Sequence, residues 1–460
     1  MSPAGATRGD GDAVRYIMGL LARADRPRLA EDARLSRMRR LLDRLGRPQE
    51  DLPIVLVAGT KGKGSTAAML DAIERAAGRR CGLYTKPHLL EYRERIRVDG
   101  AMIGEEELAL LVAEARPHIE AGAGDSEGVP TYFEASAALA LLAFRARKAE
   151  LAILEVGLGG RLDPTNAVEP ALSVITPISY DHVELLGRTL AAIAWEKAGI
   201  IRPGRPIVVA LQPPEAHAAL TAVAAERGAT LISVGERTRW RIRTMSPRGQ
   251  SVTLAAAADY GLVHLPLVGR HQAGNAATAV VAAETLARAG FPLPPEAVPH
   301  GLASLRWPGR EEVLSEAPTV MVDVAHNVAS MQALRDTLLE LWPGRRLVLV
   351  FAMVATHDHE GPAAVIAPLA DVAIVTEPDH VHPLPAARLA EAVRPYVPLV
   401  EVIPDRAAAL DRALALARPQ DVVCITGSFY LAGEARARLL AAQEAAAGGA
   451  NLSLSPGSTR

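Results

Sequence analysis

Cysteine is nearly absent: Cys81 and Cys424 are the only two in 460 residues, too few for the disulfide framework of a small secreted scaffold. The start, "MSPAGATRGDGDAVRYI", lacks the apolar core of a signal peptide, so the expected location is cytoplasmic. Long hydrophobic runs are missing too. Ala367 to Val375 is interrupted by Asp371, far below the roughly 20 apolar residues that a membrane span requires. Nor is there an excess of charge of one sign, since the net charge is −2 at pH 7; no overall electrostatic footprint for nucleic acid or an anionic membrane remains. What is left is a globular protein with 49% hydrophobic and 22% charged residues, long enough for two domains. The expected partners are small molecules, with no nucleic acid and no membrane, and the expected state is a monomer.

Lysine is scarce as well. It occurs only at Lys61, Lys63, Lys86, Lys148 and Lys197, while arginine supplies the rest of the 50 basic residues. A lysine kept in such a chain marks a place where a compact amine of tunable pKa is needed and a planar guanidinium fails. Lys148, in "RARKAE", sits at a polar helix end and needs no such reason. The other four fall in the motifs described below.

From Pro53 short apolar strands alternate with amphipathic helices: "PIVLVA", a helix over Gly64 to Ala77, "CGLYT", a helix over Glu105 to Ala121, "LAILEV", "LSVIT" and "PIVVA". This alternation predicts an α/β fold with a mainly parallel sheet covered on both faces, ligands binding at the carboxyl ends of its strands. "RWRIRTM", "QSVTLAAA" and "LVHLPL" alternate at period two with glycine between them, which predicts a small antiparallel annex. A second series follows "LRWPGR": "TVMVDVA", a helix over Ala329 to Leu341, "RLVLVFA", a helix over Pro362 to Leu369, "VAIVT", a helix over Ala386 to Val393, and "VVCITG". That is a second, Rossmann-like α/β domain, with the boundary expected near Ser304 to Arg306. The domains are thus 13–304 and 305–441, and the small, polar ends 1–12 and 442–460 are expected to be disordered.

The stretch "LVAGTKGKGST" runs an apolar strand through Gly59-Thr60-Lys61-Gly62-Lys63-Gly64-Ser65 into a helix. Glycines there let backbone N–H groups converge on phosphate oxygens at the helix N-terminus. The strict pattern G-x-x-x-x-G-K-[ST] is not met: Gly64 separates Lys63 from Ser65, and Val57 holds the first glycine position. A glycine-rich strand-to-helix turn without a ligand is the alternative. Further on, "LAILEVGLGGRLDPTN" ends a strand in Glu155 before a glycine turn, where a carboxylate is placed to hold Mg²⁺ or water, the alternative being that it simply caps the turn. "SVITPISYDHVELLG" sets Asp181 and His182 just past another strand, and "AWEKAGI" sets Lys197 after a helix. A lone histidine is more often structural than a ligand, so these gain force only in combination.

In order and spacing, "GTKGKGS", "YTKPHL", "TYFEASA", "LEVGLGGRLDPTN", "YDHVELLG", "WEKAGIIRPG", "GRHQAGNA", "WPGR" and "DVAHN" resemble the folylpolyglutamate synthase and dihydrofolate synthase family, a branch of the Mur ligases. The resemblance covers Pro53 to Ala432, and the inserted glycine of the phosphate loop is typical of the branch. It implies that Gly59, Thr60, Lys61, Gly62, Lys63, Gly64 and Ser65 grip the ATP triphosphate, with Lys63 at the β and γ phosphates. It implies Mg²⁺ held by Ser65, Glu155 and His182, and a carbamylated lysine at Lys197. It also implies ATP contacts from Asn275, Arg310 and Asp323, the last two from the second domain, and His326 as a residue positioning substrate, although a core or capping histidine fits as well. The reaction implied is amide ligation. A substrate carboxylate takes the γ-phosphoryl of ATP, and the amine of L-glutamate then displaces phosphate; second-domain closure keeps water away.

The chain departs from that family in places. Lys86 stands in "YTKPHL" where the family has a metal-binding serine, and an ammonium repels a metal ion at close range. Three readings stay open: a fixed cation replacing one Mg²⁺, a catalytic group binding a substrate carboxylate, or a residue pointing away. "DARLSRMRRLL", Asp32 to Leu42, replaces a glycine-containing segment that shapes the pterin pocket in the family, "TEPDHVHPLPAARL" lacks the arginine that the family usually has after such a proline, and Asn327 is not followed by proline. The acceptor is therefore expected to be dihydropteroate or a folate, with a non-folate carboxylate as the rival. From other classes, a small-molecule kinase and a nucleotide-binding protein without catalysis remain. Tyr132 and Phe133 fit a pterin stack, but core packing is the commoner role.

Overall fold

The computed structural model describes residues 11–21, 31–356 and 358–452. The chain forms two compact units, the first ending at Trp307 and the second beginning at Pro308, against the boundary expected near Ser304 to Arg306.

In the first unit, β1 (Ile54–Ala58), β2 (Cys81–Tyr84), β3 (Ile96–Val98), β4 (Ala101–Met102), β5 (Leu151–Glu155), β6 (Leu172–Ile175), β7 (Ile207–Val209) and β8 (Leu231–Ser233) form one sheet in the order β4-β3-β2-β5-β1-β6-β7-β8. It is parallel from β2 to β8, and only β3 and β4 run antiparallel at the edge. All five residues of β1 are buried, and they divide by parity. Ile54, Leu56 and Ala58 enter one apolar cluster, Val55 and Val57 the other, because successive side chains of a strand leave opposite faces. One face is covered by helices Glu105–Glu120 and Tyr132–Ala146, the other by helices Lys63–Ala76 and Arg270–Arg288. Such double coverage explains why the central strands read as unbroken apolar runs.

The annex is present as expected: β9 (Arg239–Ser246), β10 (Gly249–Ala255) and β11 (Asp259–Leu265) form an antiparallel sheet in the order β11-β10-β9. The segment Asp32 to Leu42 lies in helix Glu31–Arg44. Its Arg37 is buried against Glu134 at 2.9 Å, and Glu134 also accepts the N–H of Thr131 at 2.6 Å in the capping box of the next helix. Arg40 and Arg44 grip Glu127 and Asp125. This helix therefore pins the loop 125–131 and the start of the helix that carries Tyr132.

The second unit holds β12 (Glu312–Glu316), β13 (Thr319–Val322), β14 (Leu347–Phe351), β15 (Val372–Val375), β16 (Leu399–Val402) and β17 (Val422–Thr426) in the order β12-β13-β17-β14-β15-β16. Only β12 is antiparallel, and helices pack on both faces. Residues 1–10 and 453–460, expected to be disordered, lie outside the described residues. Helix Phe429–Leu452 continues past 442. "AAQEAAAGGANL" is rich in alanine, the residue that costs a helix least.

Candidate active site

The carboxyl end of β1 delivers the chain into the loop Gly59–Gly62, and helix Lys63–Ala76 starts at once with Gly62 as its N-cap at φ 78°. Two glycines are dictated by neighbours. A Cβ at Gly59 would overlap Thr176 Oγ1, and one at Gly62 would overlap Asn275 Oδ1. Asn275 is fixed in turn, its Nδ2 donating to Gln272 Oε1 at 3.0 Å.

Backbone donors separate into two sets. The N–H groups of Thr60 and Lys61 both donate to the carbonyl of Pro177, at 3.0 and 3.2 Å, so these two are committed inside the protein. Thr60 is tied down further by its hydroxyl, which donates to the Ser179 carbonyl at 3.2 Å. Among the described residues, the N–H groups of Gly62, Lys63, Gly64 and Ser65 take no acceptor; the first helical N–H to find one is Thr66, bonded to Gly62 O at 2.8 Å. A helix leaves its first N–H groups unsatisfied, and an anion answers them.

Cations crowd the same place. Lys63 Nζ donates to Thr60 O at 3.3 Å. Lys61 Nζ pairs with Asp181 at 3.0 Å. Lys197, in the last turn of helix Leu190–Ala198, is buried and donates to Gly59 O at 2.8 Å. Burial first, and then the charges of Lys63 and Lys61, bring the Lys197 amine down to about 7 against the opposing pull of Asp181. Burial likewise lowers Lys61 to about 8, with Asp181 opposing and Lys63 assisting. His182, at φ 48° after β6, is also lowered, by burial and then by Lys61, Lys63 and Lys197, with Asp181 opposing. Four cationic or potentially cationic groups thus feel one another around the four open N–H groups, an arrangement that polyphosphate would neutralise.

A proton uptake follows. In CO₂-free buffer at pH 8, ADP should raise the Lys61 and Lys197 pKa values and draw in on the order of 0.5 to 1 proton per nucleotide. Titration calorimetry in two buffers of unequal ionisation enthalpy measures this directly, and Lys197→Met should reduce the uptake; no uptake in the parent protein would contradict the electrostatic picture.

Glu155 ends β5 beside this loop. Its carboxylate oxygens lie 3.3 and 3.6 Å from where a Cβ on residue 64 would stand, with Trp307 Cζ2 at 3.2 Å. Ser65 is buried in the first helical turn and Glu155 is buried too, whereas the His182 side chain is 43% exposed. Among the described residues no three His, Cys, Asp or Glu side chains gather as a metal cluster. Glu155 and Ser65 are oxygen donors, the ligand type that Mg²⁺ takes together with water and phosphate oxygens. The buried hydroxyls of Thr66 and Ser179 have no partner among the described residues, so polar capacity beside the loop is left over for a ligand.

Lys86 does not point idly away. Its Nζ pairs with Asp163 at 3.5 Å, both side chains almost wholly buried, and lies 5.2 Å from the Tyr84 ring. Burial alone would lower this amine, but Asp163, Tyr84 and Glu155 together raise it. Asp163 itself escaped attention in "RLDPTN", where an aspartate before proline looks like a turn residue. The signal was its partner, since a lysine in a buried motif calls for a buried carboxylate. Tyr132 is core and Phe133 half exposed.

Asp323 and His326 follow the carboxyl end of β13 in the second unit, and Arg310 precedes the antiparallel β12, whose first residue pairs with the last of β13. Asp323 Oδ1 accepts the N–H of Ala325 at 2.7 Å, and Oδ2 that of Glu311 at 2.9 Å. Glu311, unremarked in the sequence, is buried with φ 49°; burial and then Asp323 hold its carboxyl far above the usual range. The Arg310 guanidinium lies 5.0 Å from the Phe429 ring centre, and the His326 ring 5.8 Å from it. His326 Nδ1 is 2.9 Å from Val324 O.

Comparison with known proteins decides the family. Residues 57–283 match the Mur ligase middle domain, and residues 309–429 the Mur ligase, glutamate ligase domain. The dihydrofolate synthase/folylpolyglutamate synthase of Bacillus subtilis is 37% identical over 76% of this chain and 80% of its own. The chain belongs to the folylpolyglutamate synthase and dihydrofolate synthase family of Mur ligases. A solved member of this family, the Mycobacterium tuberculosis folylpolyglutamate synthase complexed with ADP, matches with a TM-score of 0.85 and 33% identity, over 93% of this chain and 98% of that one. A probable bifunctional folylpolyglutamate synthase/dihydropteroate synthase of Haloferax volcanii is 38% identical over 87% of this chain, which spans only 47% of that protein. No helix among the described residues of this family member is long and apolar enough to cross a membrane.

Proposed function

We propose that this family member is an ATP-dependent ligase that activates the carboxylate of dihydropteroate or of a folate and joins it to L-glutamate. The observation that carries this is the set of four open N–H groups, Gly62 to Ser65, ringed by Lys61, Lys63, Lys197 and His182. Membership of a family whose named relatives perform this ligation supplies the acceptor class.

ATP lays its terminal phosphates across the N-terminus of helix Lys63–Ala76, with Lys63 at the transferring group. The acceptor carboxylate oxygen bonds to the γ-phosphorus as the bond to the β-phosphate oxygen breaks, which gives an acyl phosphate and ADP. The glutamate amine then attacks the acyl carbon, loses a proton and expels inorganic phosphate. The chain's part is positioning and charge neutralisation, which is most of what phosphoryl transfer asks of a protein. Ser65, Glu155 and His182 would hold Mg²⁺, which when bound neutralises charge on the phosphate oxygens.

Lys197 is suited to carbamylation, since at about 7 a good part of its amine is uncharged at neutral pH, and CO₂ adds only to that form. Expected results are a carbamate carbon resonance with ¹³C-bicarbonate in the parent protein, its absence in Lys197→Met, and a smaller ADP-linked proton uptake when bicarbonate is present. A spectrum without the resonance at saturating bicarbonate would remove the carbamate.

Phosphate release from ATP tests the reading as a whole. Release should require both the acceptor, dihydropteroate or a folate, and L-glutamate. Turnover with another carboxylate alone would move the acceptor outside the folates; a stable phosphorylated product would indicate a kinase, and tight nucleotide binding without turnover a binding protein.

A further inference from the structure

The ion pair between Lys86 and Asp163 rests on the cation site proposed above and adds a control on it. Asp163 is well supplied with donors before the lysine is counted. Its Oδ2 accepts the N–H groups of Gly157 at 2.9 Å and Leu158 at 3.3 Å, and its Oδ1 accepts the N–H of Thr165 at 3.0 Å and the Thr165 hydroxyl at 2.6 Å. Gly157 and Leu158 begin the turn by which the chain leaves β5 after Glu155. Lys86 closes the circuit, for its own N–H donates to Glu155 Oε2 at 3.0 Å, and its Cε would lie 2.9 Å from a Cβ at Gly157. One ammonium therefore stands among two buried carboxylates, and it feels the charge of both.

A single ammonium cannot neutralise both. Paired with Asp163 it forms a neutral buried unit, and the charge of Glu155 remains to attract a divalent cation. Paired with Glu155 it would compete with that cation for the same oxygens, at close range and out of water, where such competition is strong. We propose that Asp163 is a positioning residue that holds the Lys86 ammonium off Glu155 and so keeps the cation site usable. Lys86 is then neither a substitute for a metal ion nor a binder of substrate carboxylate. A buried lysine is tolerated beside Glu155 because Asp163 absorbs its charge.

Mn²⁺ binding to the full chain with saturating ADP, followed by electron paramagnetic resonance, tests this without reference to turnover. Asp163→Asn keeps the shape and one acceptor oxygen but releases the ammonium, so Mn²⁺ affinity should fall by ~10-fold or more, within the range typical for lost partners of metal ligands. Adding Lys86→Met to Asp163→Asn removes the competitor and should restore affinity to within about 3-fold of the parent, a reciprocal rescue that a purely structural role of Asp163 would not produce. Unchanged affinity in Asp163→Asn, or failure of the double variant to recover while its melting temperature does, overturns the proposal. Should Asp163→Asn not fold, Lys86→Met alone decides: affinity equal to or tighter than the parent's supports the proposal, and a ~10-fold loss overturns it. Glu155→Gln separates the two layers. Loss of Mn²⁺ in that variant beside an unaffected Asp163→Asn defeats only this inference, whereas parent-like binding in Glu155→Gln defeats the cation site and the inference together.

Discussion

Lys63→Ala should abolish ATP turnover, lowering phosphate release by ~10³-fold or more, the scale on which single charge-stabilising groups act in phosphoryl transfer, with little change in melting temperature. The lysines of the site are not equivalent. Lys61 is paired with Asp181, Lys86 with Asp163, and Lys197 rests on a backbone carbonyl within the core. Lys63 stands at the first residue of the helix and touches only the Thr60 carbonyl, at 3.3 Å, with no carboxylate among the described residues holding its charge. Its removal breaks no buried ion pair, so the fold loses little; the transferring phosphoryl loses an ammonium that no ion pair among the described residues holds back. Lys61→Ala should cost less in turnover, because Asp181 already shares that charge. Lys63→Arg should not restore the rate, since a planar fork does not fit where a compact ammonium meets phosphate. Steady-state phosphate release at saturating ATP, beside a melting curve, checks all three. A folded Lys63→Ala protein with near-full turnover would remove the assignment of this loop to ATP.

Why some of this was legible in the sequence and some was not has a physical answer. Strands such as Ile54–Ala58 announce themselves because both faces of the sheet are covered, so every residue is apolar. The annex is legible for the opposite reason: one side of β9 faces water and its residues alternate. The strands that went unread lie at a sheet edge or, like Ile96–Val98, next to one. Leu399–Val402 is exposed or partly exposed throughout, and Ala101–Met102 is too short to carry a period. At the site, the glycines at 59 and 62 could be singled out because phosphate loops need them. Nothing in the sequence says that Pro177 takes the N–H groups of Thr60 and Lys61, nor that Asp163, 77 positions away, meets Lys86. Those facts arise only when β2, β5, β1 and β6 lie side by side. The order of strands, rather than any single motif, converts separate residues into a site.

Gly62→Ala should lower nucleotide affinity by ~100-fold and destabilise the first unit by about 2 kcal/mol or more, combining left-handed strain with steric overlap. At φ 78° an L-residue is already strained, and the new methyl would collide with Asn275 Oδ1. Asn275 cannot yield cheaply, because it is buried on helix Arg270–Arg288 and bonded to Gln272. Relief must come from the loop instead, which would turn the N–H groups of Gly62 and Lys63 away from their common focus. Gly78 supplies the control. It too has a positive φ, 89°, but a Cβ there meets nothing within 4 Å, so Gly78→Ala should cost only the backbone strain of about 1 kcal/mol and leave ADP affinity unchanged. Calorimetric ADP binding and thermal melting of both variants separate strain from collision. Equal ADP affinity in Gly62→Ala and Gly78→Ala would mean that the packing of Asn275 on the loop does not set its shape, and that the convergence of N–H groups on phosphate must have another origin.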